Sequence, residues 1–358
     1  LITISYLSIV FYSNNLSVPS PAAGTPVPAG ARTYPRSHRM SRPFLRRLAI
    51  VFAASVVLSG IGGAQAEEVL RIGFQKSSTL LTLIRSQGTF ERELARQGIR
   101  VSWHEFPSGL PLLESLNVGN VDLSADVADT VPVFAQAAGA RLTYFARETP
   151  SPAAQAILVG EHSPLKSLAE LKGKRIAVTK AAGSHYLLIA ALASAGLEFS
   201  DIQPAYLTPA DGRAAFENGK VDAWVTWDPY VASAQRQQRA RVLADGQGLA
   251  SYQRYYLASS DYARKHPEVL QQVFAELQRT GRWLKSHPAD AAKVLGPLWG
   301  NLDAATVEQA NARRSYDVQP VSADGLDEQQ RIADAFHAQG LLPKPVDARA
   351  VEVWQPRH

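Results

Sequence analysis

The sequence predicts an α/β protein of two similar lobes, each a sheet flanked by helices, followed by a C-terminal helical segment. Three observations predict this architecture. Short apolar runs alternate with helical patterns, which is typical of largely parallel sheets covered by helices. A weak internal repeat divides the chain into two comparable halves. After Asp261 the short apolar runs stop, and consecutive helical patterns follow.

The predicted strands are short runs of apolar and β-branched residues. They cover 69–74, 100–106, 121–125, 141–147, 154–159, 175–179, 221–226 and 255–258. Helical patterns lie between them, for example at 111–118, 184–195 and 210–218, and turns containing proline at 129–132 and 228–229 each precede a further apolar helix. In the C-terminal part, apolar residues at helical spacing predict helices over 262–286, 289–299, 304–316 and 325–339.

The internal repeat consists of two pairs of short motifs. Residues 71–76 reappear in outline at 175–180, and residues 118–122 reappear at 218–222, in the same order and at nearly equal spacing. Two α/β units of one topology are the simplest explanation. We therefore predict a first lobe of residues 67–152 plus 254–358 and a second lobe of residues 153–253.

The N-terminal part has the pattern of an export signal. From Met40, a stretch with three arginines is followed by an apolar core at 48–58 and a small-x-small motif at 64–66. This order is typical of a secretory signal peptide, and the apolar core is too short for a permanent membrane helix. We expect a signal peptide over 40–66, upstream sequence without a fold over 1–39, and a mature protein that is soluble in the periplasm.

Charge and sulfur content narrow the function. Removing the six arginines of residues 1–66 leaves 31 basic and 32 acidic side chains, so the net charge falls from +5 to −1. The mature chain therefore gives no support to a nucleic-acid or membrane-surface role. Met40 is the one methionine and cysteine is absent, so the mature chain contains no sulfur. Sulfur scarcity and the avoidance of oxidisable side chains both explain that composition.

Two lobes side by side place the carboxyl ends of two sheets opposite each other, where ligands bind in α/β proteins. Helix N-termini at that edge present free N–H groups and favour an anion. The candidate ligand-binding residues are those in the turns expected there: Gln75, Ser78, Asp129, Thr130, Gly183, Ser184, His185, Trp227 and Asp228.

Structural roles compete with ligand binding at several of these positions. Serine is favoured at helix N-caps, so Ser184 is compatible with a capping role. Asp228 before Pro229 is compatible with an N-cap followed by proline at the first helical position. His185 is equally compatible with an interior histidine, and Trp227 with packing between helix and sheet.

Five segments, in their order and spacing, resemble one protein family. They are residues 73–76, 134–140, 207–211, 218–224 and 227–230. They resemble the periplasmic aliphatic-sulfonate-binding proteins of ABC importers, and the similarity extends over about 69–354. The resemblance implies a type II periplasmic-binding fold that closes around a small anionic ligand and delivers it to an ABC permease at the inner membrane. It also implies a monomer without catalytic activity or cofactor.

A sulfonate has three acceptor oxygens and no donor, so its site needs donors, which several of the candidate residues supply. Taurine, a sulfate ester, nitrate and sulfate remain alternative ligands. An enzyme on the same fold is disfavoured, because the related enzymes we considered depend on cysteine chemistry. Two turns, at 124–129 and 181–185, have fewer glycines than the family pattern. One of them carries Asp126, which would repel a bare sulfonate and hold an aminosulfonate if it faced the cleft; an outward or capping Asp126 is the alternative.

Overall fold

The structure is a computed structural model that describes residues 68–322 and 325–357. Across these ranges the strands form one sheet of seven strands and one of five. Helices flank both sheets and continue into the C-terminal part, so the predicted fold class is confirmed. The predicted signal peptide over 40–66 and the upstream stretch over 1–39 lie outside the described residues.

The strands are β1 (Glu68–Gln75), β2 (Ile99–Phe106), β3 (Leu123–Ala128), β4 (Leu142–Glu148), β5 (Gln155–Val159), β6 (Arg175–Val178), β7 (Gln203–Tyr206), β8 (Ala223–Trp227), β9 (Arg241–Asp245), β10 (Arg254–Ser259), β11 (Val318–Gln319) and β12 (Glu352–Val353). The α-helices are α1 (Leu80–Gln87), α2 (Thr89–Ala95), α3 (Gly109–Asn117), α4 (Thr130–Ala137), α5 (Gly183–Ser194), α6 (Pro209–Glu217), α7 (Tyr230–Gln238), α8 (Ser260–Lys265), α9 (Pro267–Ser286), α10 (Pro288–Leu298), α11 (Ala304–Ala312) and α12 (Gly325–Ala338).

The first sheet has the strand order β11-β4-β10-β3-β1-β2, and β12 pairs with β4. Strand β1 runs parallel to β2 and β3, whereas β10 is antiparallel to β3 and β4. Leu70 and Ile72 of β1 pack in one buried cluster with Leu277 of α9 and Leu295 of α10. The C-terminal helices therefore cover the first sheet.

The second sheet has the order β7-β6-β8-β5-β9. Strand β8 is parallel to β6 and antiparallel to β5. Ile157 of β5 and Val225 of β8 pack with Leu188 of α5 in the core of this sheet. The chain passes from the first sheet to the second between β4 and β5, and returns between β9 and β10.

The aspartates of the repeated Val-Asp motif, Asp122 and Asp222, make the same backbone hydrogen bonds in both sheets. The Asp122 carboxylate accepts from the backbone N–H of Arg71 at 2.8 Å, and the Asp222 carboxylate accepts from that of Arg175 at 2.8 Å. The backbone N–H of each aspartate also donates to the carbonyl of the same arginine, at 2.8 Å in both cases. The internal repeat is thus a clamp that joins neighbouring parallel strands in each half.

Several short elements differ from the sequence prediction. Strands β11 and β12, two residues each, follow Asp261, so the prediction that strands stop there was wrong. Two residues are too few to show an alternating pattern. The helix predicted over 262–286 is divided into α8 and α9 at His266, whose φ of −130° and ψ of 51° are not helical. Pro267 follows and disfavours a helical conformation in the residue before it.

The C-terminal segment contacts both sheets. Ile332, Ala333 and Phe336 of α12 belong to the buried cluster of the second sheet, whereas β12 pairs with β4 of the first. The assignment of all of 254–358 to the first lobe stays a prediction, and α12 packs on the second. In the described part of the chain, no helix has the length and hydropathy needed to cross a membrane.

Candidate functional site

Hydrogen bonds join the two lobes where the strands of both sheets end. Thr130 Oγ1 donates to the carbonyl of Ala181 at 2.7 Å. The indole Nε1 of Trp227 donates to Ser77 Oγ at 3.1 Å. Arg313 Nη1 donates to Asp228 Oδ1 at 3.0 Å. The turns predicted to face each other are therefore in contact in this structure.

In the first lobe, the turn after β1 is held by its own polar groups. The Gln75 N–H donates to Ser78 Oγ at 3.1 Å, and the Ser78 N–H donates to the Gln75 carbonyl at 2.8 Å. The Gln75 amide Nε2 donates to the carbonyl of Asp126 at 2.9 Å, so it connects β1 to β3. Both Gln75 and Ser78 are buried at the end of the sheet.

Asp129 ties the end of β3 to the segment that returns from the second lobe. Its carboxylate accepts from the backbone N–H of Thr130 at 3.0 Å and from that of Gln253 at 2.9 Å. Burial raises the pKa of Asp129 to about 7, although both N–H donors act in the opposite direction. This carboxylate orients backbone at the site, which is the role of a cap.

In the second lobe, α5 begins at Gly183 without a side-chain cap. Ser184 Oγ is buried and has no hydrogen-bond partner among the described residues. An uncapped helix start leaves backbone N–H groups free, and together with a buried hydroxyl it forms a set of donors suited to an anion. A Cβ on Gly183 would lie 2.6 Å from Tyr252 Cε2, so glycine allows the close approach of the tyrosine ring.

The His185 side chain lies in an apolar environment within the second lobe. Its ring centroid is 5.2 Å from that of Phe199 and 5.0 Å from that of Phe336, and its Nδ1 accepts from the Ala181 N–H at 3.3 Å. Burial, with a smaller effect of Lys180, lowers the pKa of His185 to about 3. The ring is therefore neutral at physiological pH and has the surroundings of an interior histidine.

Asp228 combines a helix-capping role with a contact between lobes. Its Oδ1 accepts from the backbone N–H of Ala232 at 3.0 Å, and its two oxygens accept from Arg313 Nη1 at 3.0 and 3.1 Å. Burial raises the pKa of Asp228 to about 7, while Arg313 acts in the opposite direction. The predicted N-cap is displaced by one residue, since the helix begins at Tyr230 and Pro229 occupies the N-cap position, and the contact with Arg313 was not predicted.

A buried ion network in the first lobe lies next to these residues and was not predicted. Arg314 Nη2 donates to Asp126 Oδ2 at 2.9 Å and to both oxygens of Glu148, at 2.6 and 2.7 Å. Arg254 Nη2 is 2.7 Å from the same Asp126 Oδ2. The four side chains are exposed by 4% or less. Burial opposes the charge on Arg314, but attraction by Glu148 raises its pKa well above the ordinary value.

The network shows how Asp126 is accommodated. Its Oδ2 contacts two guanidinium groups, so its charge is compensated inside the first lobe. The repulsion of a bare sulfonate that we considered for an uncompensated Asp126 therefore does not apply. Within the described residues, Asp126 Oδ1 and the Nε atoms of Arg254 and Arg314 have no hydrogen-bond partner. Buried polar atoms without partners are uncommon, and a bound ligand, a water or an ion is one explanation for them.

Two lobes joined by crossing segments, with polar groups gathered where both sheets end, define a two-lobed periplasmic-binding fold. The sequence profile of the NMT1/THI5-like family matches residues 94–291. An aliphatic sulfonates-binding protein of Escherichia coli (strain K12) is 41% identical over 310 residues, which are 87% of this chain and 96% of that protein.

Solved structures agree with this match. The periplasmic aliphatic sulphonate binding protein SsuA from Escherichia coli superposes with a TM-score of 0.73 at 43% identity, covering 81% of this chain and 93% of the other. The alkanesulfonate-binding protein SsuA from Xanthomonas axonopodis pv. citri, bound to MOPS, gives a TM-score of 0.74 at 42% identity and covers 80% and 98%. The chain belongs to the NMT1/THI5-like family, alongside the aliphatic-sulfonate-binding proteins, which confirms the resemblance.

Proposed function

We propose that this protein captures aliphatic sulfonates between its two lobes and delivers them to an ABC permease for sulfur acquisition. The observation that carries the proposal is the identity of 41% with a sulfonate-binding relative over nearly its whole length. In the proposal the protein acts in the periplasm as a monomer, and it is not an enzyme. A mature chain without sulfur is consistent with synthesis when sulfur is scarce.

The proposed site matches the chemistry of a sulfonate head group. A sulfonate only accepts hydrogen bonds, and the start of α5 offers backbone N–H groups together with the unpaired hydroxyl of Ser184. The Nε atoms of Arg254 and Arg314 are buried donors without partners among the described residues. Hydrogen bonds to charged groups contribute about 1.5–3 kcal/mol each. About five or six such donors therefore supply the ~8 kcal/mol of micromolar binding and the ~4 kcal/mol or more that is lost on association.

The nine candidate residues take different roles in this proposal. The proposal assigns ligand contact to Gln75, Ser78, Thr130, Gly183 and Ser184, and closure of the site from the second lobe to Trp227. Asp129 and Asp228 orient the backbone and the lobes. The His185 side chain is neutral and packed among aromatic rings, so the proposal assigns it no contact with the ligand.

Calorimetric titration of the protein, stripped of bound ligand by unfolding and refolding, tests the proposal. The ligands are butane-1-sulfonate, pentanoate as the carboxylate of equal chain length, taurine and sulfate. We expect micromolar or tighter binding of butane-1-sulfonate and no heat from pentanoate. Binding of taurine alone would change the proposed ligand to an aminosulfonate. No binding of either sulfonate would contradict the proposed function.

A further inference from the structure

Tyr252 lies between the two halves of the proposed site. It belongs to the segment that returns from the second lobe, and it is 2% exposed. A Cβ on Gly183 would lie 2.6 and 2.7 Å from its ring atoms Cε2 and Cδ2, so the ring packs directly on the start of α5. On the other side, Arg254 Nη1 donates to the Tyr252 hydroxyl at 2.6 Å.

The backbone of Tyr252 is held in an unfavourable conformation. Its φ of 53° lies in the left-handed region, where a bulky side chain is rarely found. Such residues persist only where the surroundings hold them, and they cluster at ligand sites and switches. Here the Arg254 guanidinium carbon lies 5.3 Å from the centre of the Tyr252 ring, and the hydroxyl contact holds the other end of the side chain.

The hydroxyl of Tyr252 keeps a proton to donate. Burial raises the pKa of Tyr252 to about 12, although Arg254 and Arg314 act in the opposite direction, so the phenol is protonated at physiological pH. Its oxygen is the acceptor in the bond from Arg254. The hydroxyl hydrogen is therefore available for a second partner, and a donor polarised by a guanidinium suits an anion that only accepts.

From this geometry we infer that Tyr252 is a ligand-contacting and specificity-determining residue of the proposed sulfonate site. Its hydroxyl donates to a sulfonate oxygen, backed by Arg254, and its ring is the wall that limits the width of the ligand beside Gly183. The inference rests on the proposed function, since it names a contact within the same site.

Tyr316 provides a matched control. Its φ is 52° and it is 2% exposed, and the Arg314 guanidinium carbon lies 4.5 Å from the centre of its ring. Its hydroxyl donates to Asn311 Oδ1 at 2.6 Å, within the first lobe. It therefore shares the backbone, burial and arginine contact of Tyr252, but its hydroxyl proton is already engaged.

The experiment measures the Kd of butane-1-sulfonate by calorimetry for the wild-type protein, Tyr252→Phe and Tyr316→Phe. We expect Tyr252→Phe to bind at least tenfold more weakly and Tyr316→Phe to stay within twofold of wild type. Thermal unfolding without ligand checks that both variants are folded. If Tyr252→Phe binds within twofold of wild type, the hydroxyl contact is wrong.

A second variant separates a contact from a structural effect. Tyr252→Ala removes the wall, so we expect the affinity ratio of naphthalene-2-sulfonate to butane-1-sulfonate to rise at least fivefold over wild type. A purely structural role would weaken both ligands alike and leave the ratio unchanged, which would overturn the specificity role. If the wild-type protein binds neither sulfonate, the proposed function fails, and the role of Tyr252 fails with it. Normal wild-type binding with unchanged variants overturns only the role of Tyr252.

Discussion

The two lobes contribute different chemistry to the surface where they meet. The first lobe carries a buried ion network around Asp126 and Arg314 whose members come from β3, β4 and β10 and from the segment between α11 and β11. The second lobe presents the start of α5, the neutral His185 and the indole of Trp227. These buried ion pairs therefore include no residue of the second lobe.

This difference means that no ion pair of this network has to break when the second lobe separates from the first. The ion pair between Arg313 and Asp228 does cross between the lobes. Residues Arg313 and Arg314 are adjacent in the chain, yet one contacts the second lobe and the other belongs to the first-lobe network. Substitution of Arg314 should thus affect the free energy of unfolding, whereas substitution of Arg313 should affect the affinity for the ligand.

The largest effect is expected for Arg314→Met. Removing this guanidinium leaves Asp126 paired with Arg254 alone and takes from Glu148 its arginine partner, and breaking a buried ion pair costs about 3–5 kcal/mol. We expect the free energy of unfolding, measured by urea titration without ligand, to fall by that amount. The control is Arg213→Met, because Arg213 pairs with Glu217 on the exposed face of α6 and such pairs contribute about 0.5 kcal/mol. If the loss of stability in Arg314→Met were as small as that in Arg213→Met, the network would not stabilise the first lobe.

Arg313→Met should instead weaken ligand binding. Its contacts with Asp228 and with Gln235 join α11 to the second lobe, and their loss disfavours the arrangement with the lobes in contact. Losing a hydrogen bond to a charged group of about 1.5 kcal/mol corresponds to an affinity for butane-1-sulfonate about tenfold lower. The control is Arg236→Met, whose pair with Asp303 at 3.7 Å joins the same two regions but is exposed. An unchanged affinity in Arg313→Met would show that this pair does not support closure.

The smallest expected effect is a pH dependence of the free energy of unfolding that arises from His185 in the second lobe. Because the pKa of His185 is lowered to about 3 in the folded protein, the unfolded chain binds a proton first as the pH falls below about 6.5. The neutral His185 ring therefore makes its full contribution to the free energy of unfolding above that pH, and this contribution decreases as the pH falls. Between pH 7.5 and 5.5 this loss amounts to about 1.4 kcal/mol.

Urea unfolding of wild type and His185→Phe at the two pH values measures this contribution. We expect the stability difference between the two proteins to shift in favour of the variant by about 1.4 kcal/mol at the lower pH. His104 is exposed on β2 of the first lobe, and His104→Phe is the control for replacing a histidine by phenylalanine at an exposed position. A pH dependence shared by wild type and His185→Phe would place the titrating group elsewhere.

The sequence predicted the ends of β1 and β8 because those signals are local, whereas β3 extends to Ala128 and includes Asp126, which was predicted to lie in a turn. An apolar run that ends at Gln75 or Trp227, followed by polar residues and a helical pattern, is visible within a short window. The partners of Asp126 were not visible, since Arg254 and Arg314 lie 128 and 188 residues further along the chain. Nothing in the neighbourhood of either arginine distinguishes it from an exposed one.

His185 shows the same limit at shorter range. A glycine, serine and histidine at a helix start have the composition of an anion site, but the helix directs successive side chains to different sides. The ring of His185 therefore packs toward Phe336, a residue of α12 whose position depends on the return of the C-terminal segment to the second lobe. That return follows from tertiary packing and has no local pattern.

The hydrogen bond between Trp227 and Ser77 has an optical consequence. The indole is 4% exposed while its Nε1 contacts the first lobe. When the lobes separate, the indole loses that bond and meets water, and the fluorescence of a hydrated indole lies at longer wavelengths. We therefore expect the intrinsic emission of the protein to shift to shorter wavelengths when ligand closes the lobes, and to lose that shift in Trp227→Phe. We thus expect the indole that contacts Ser77 to report occupancy of the proposed site without a dye.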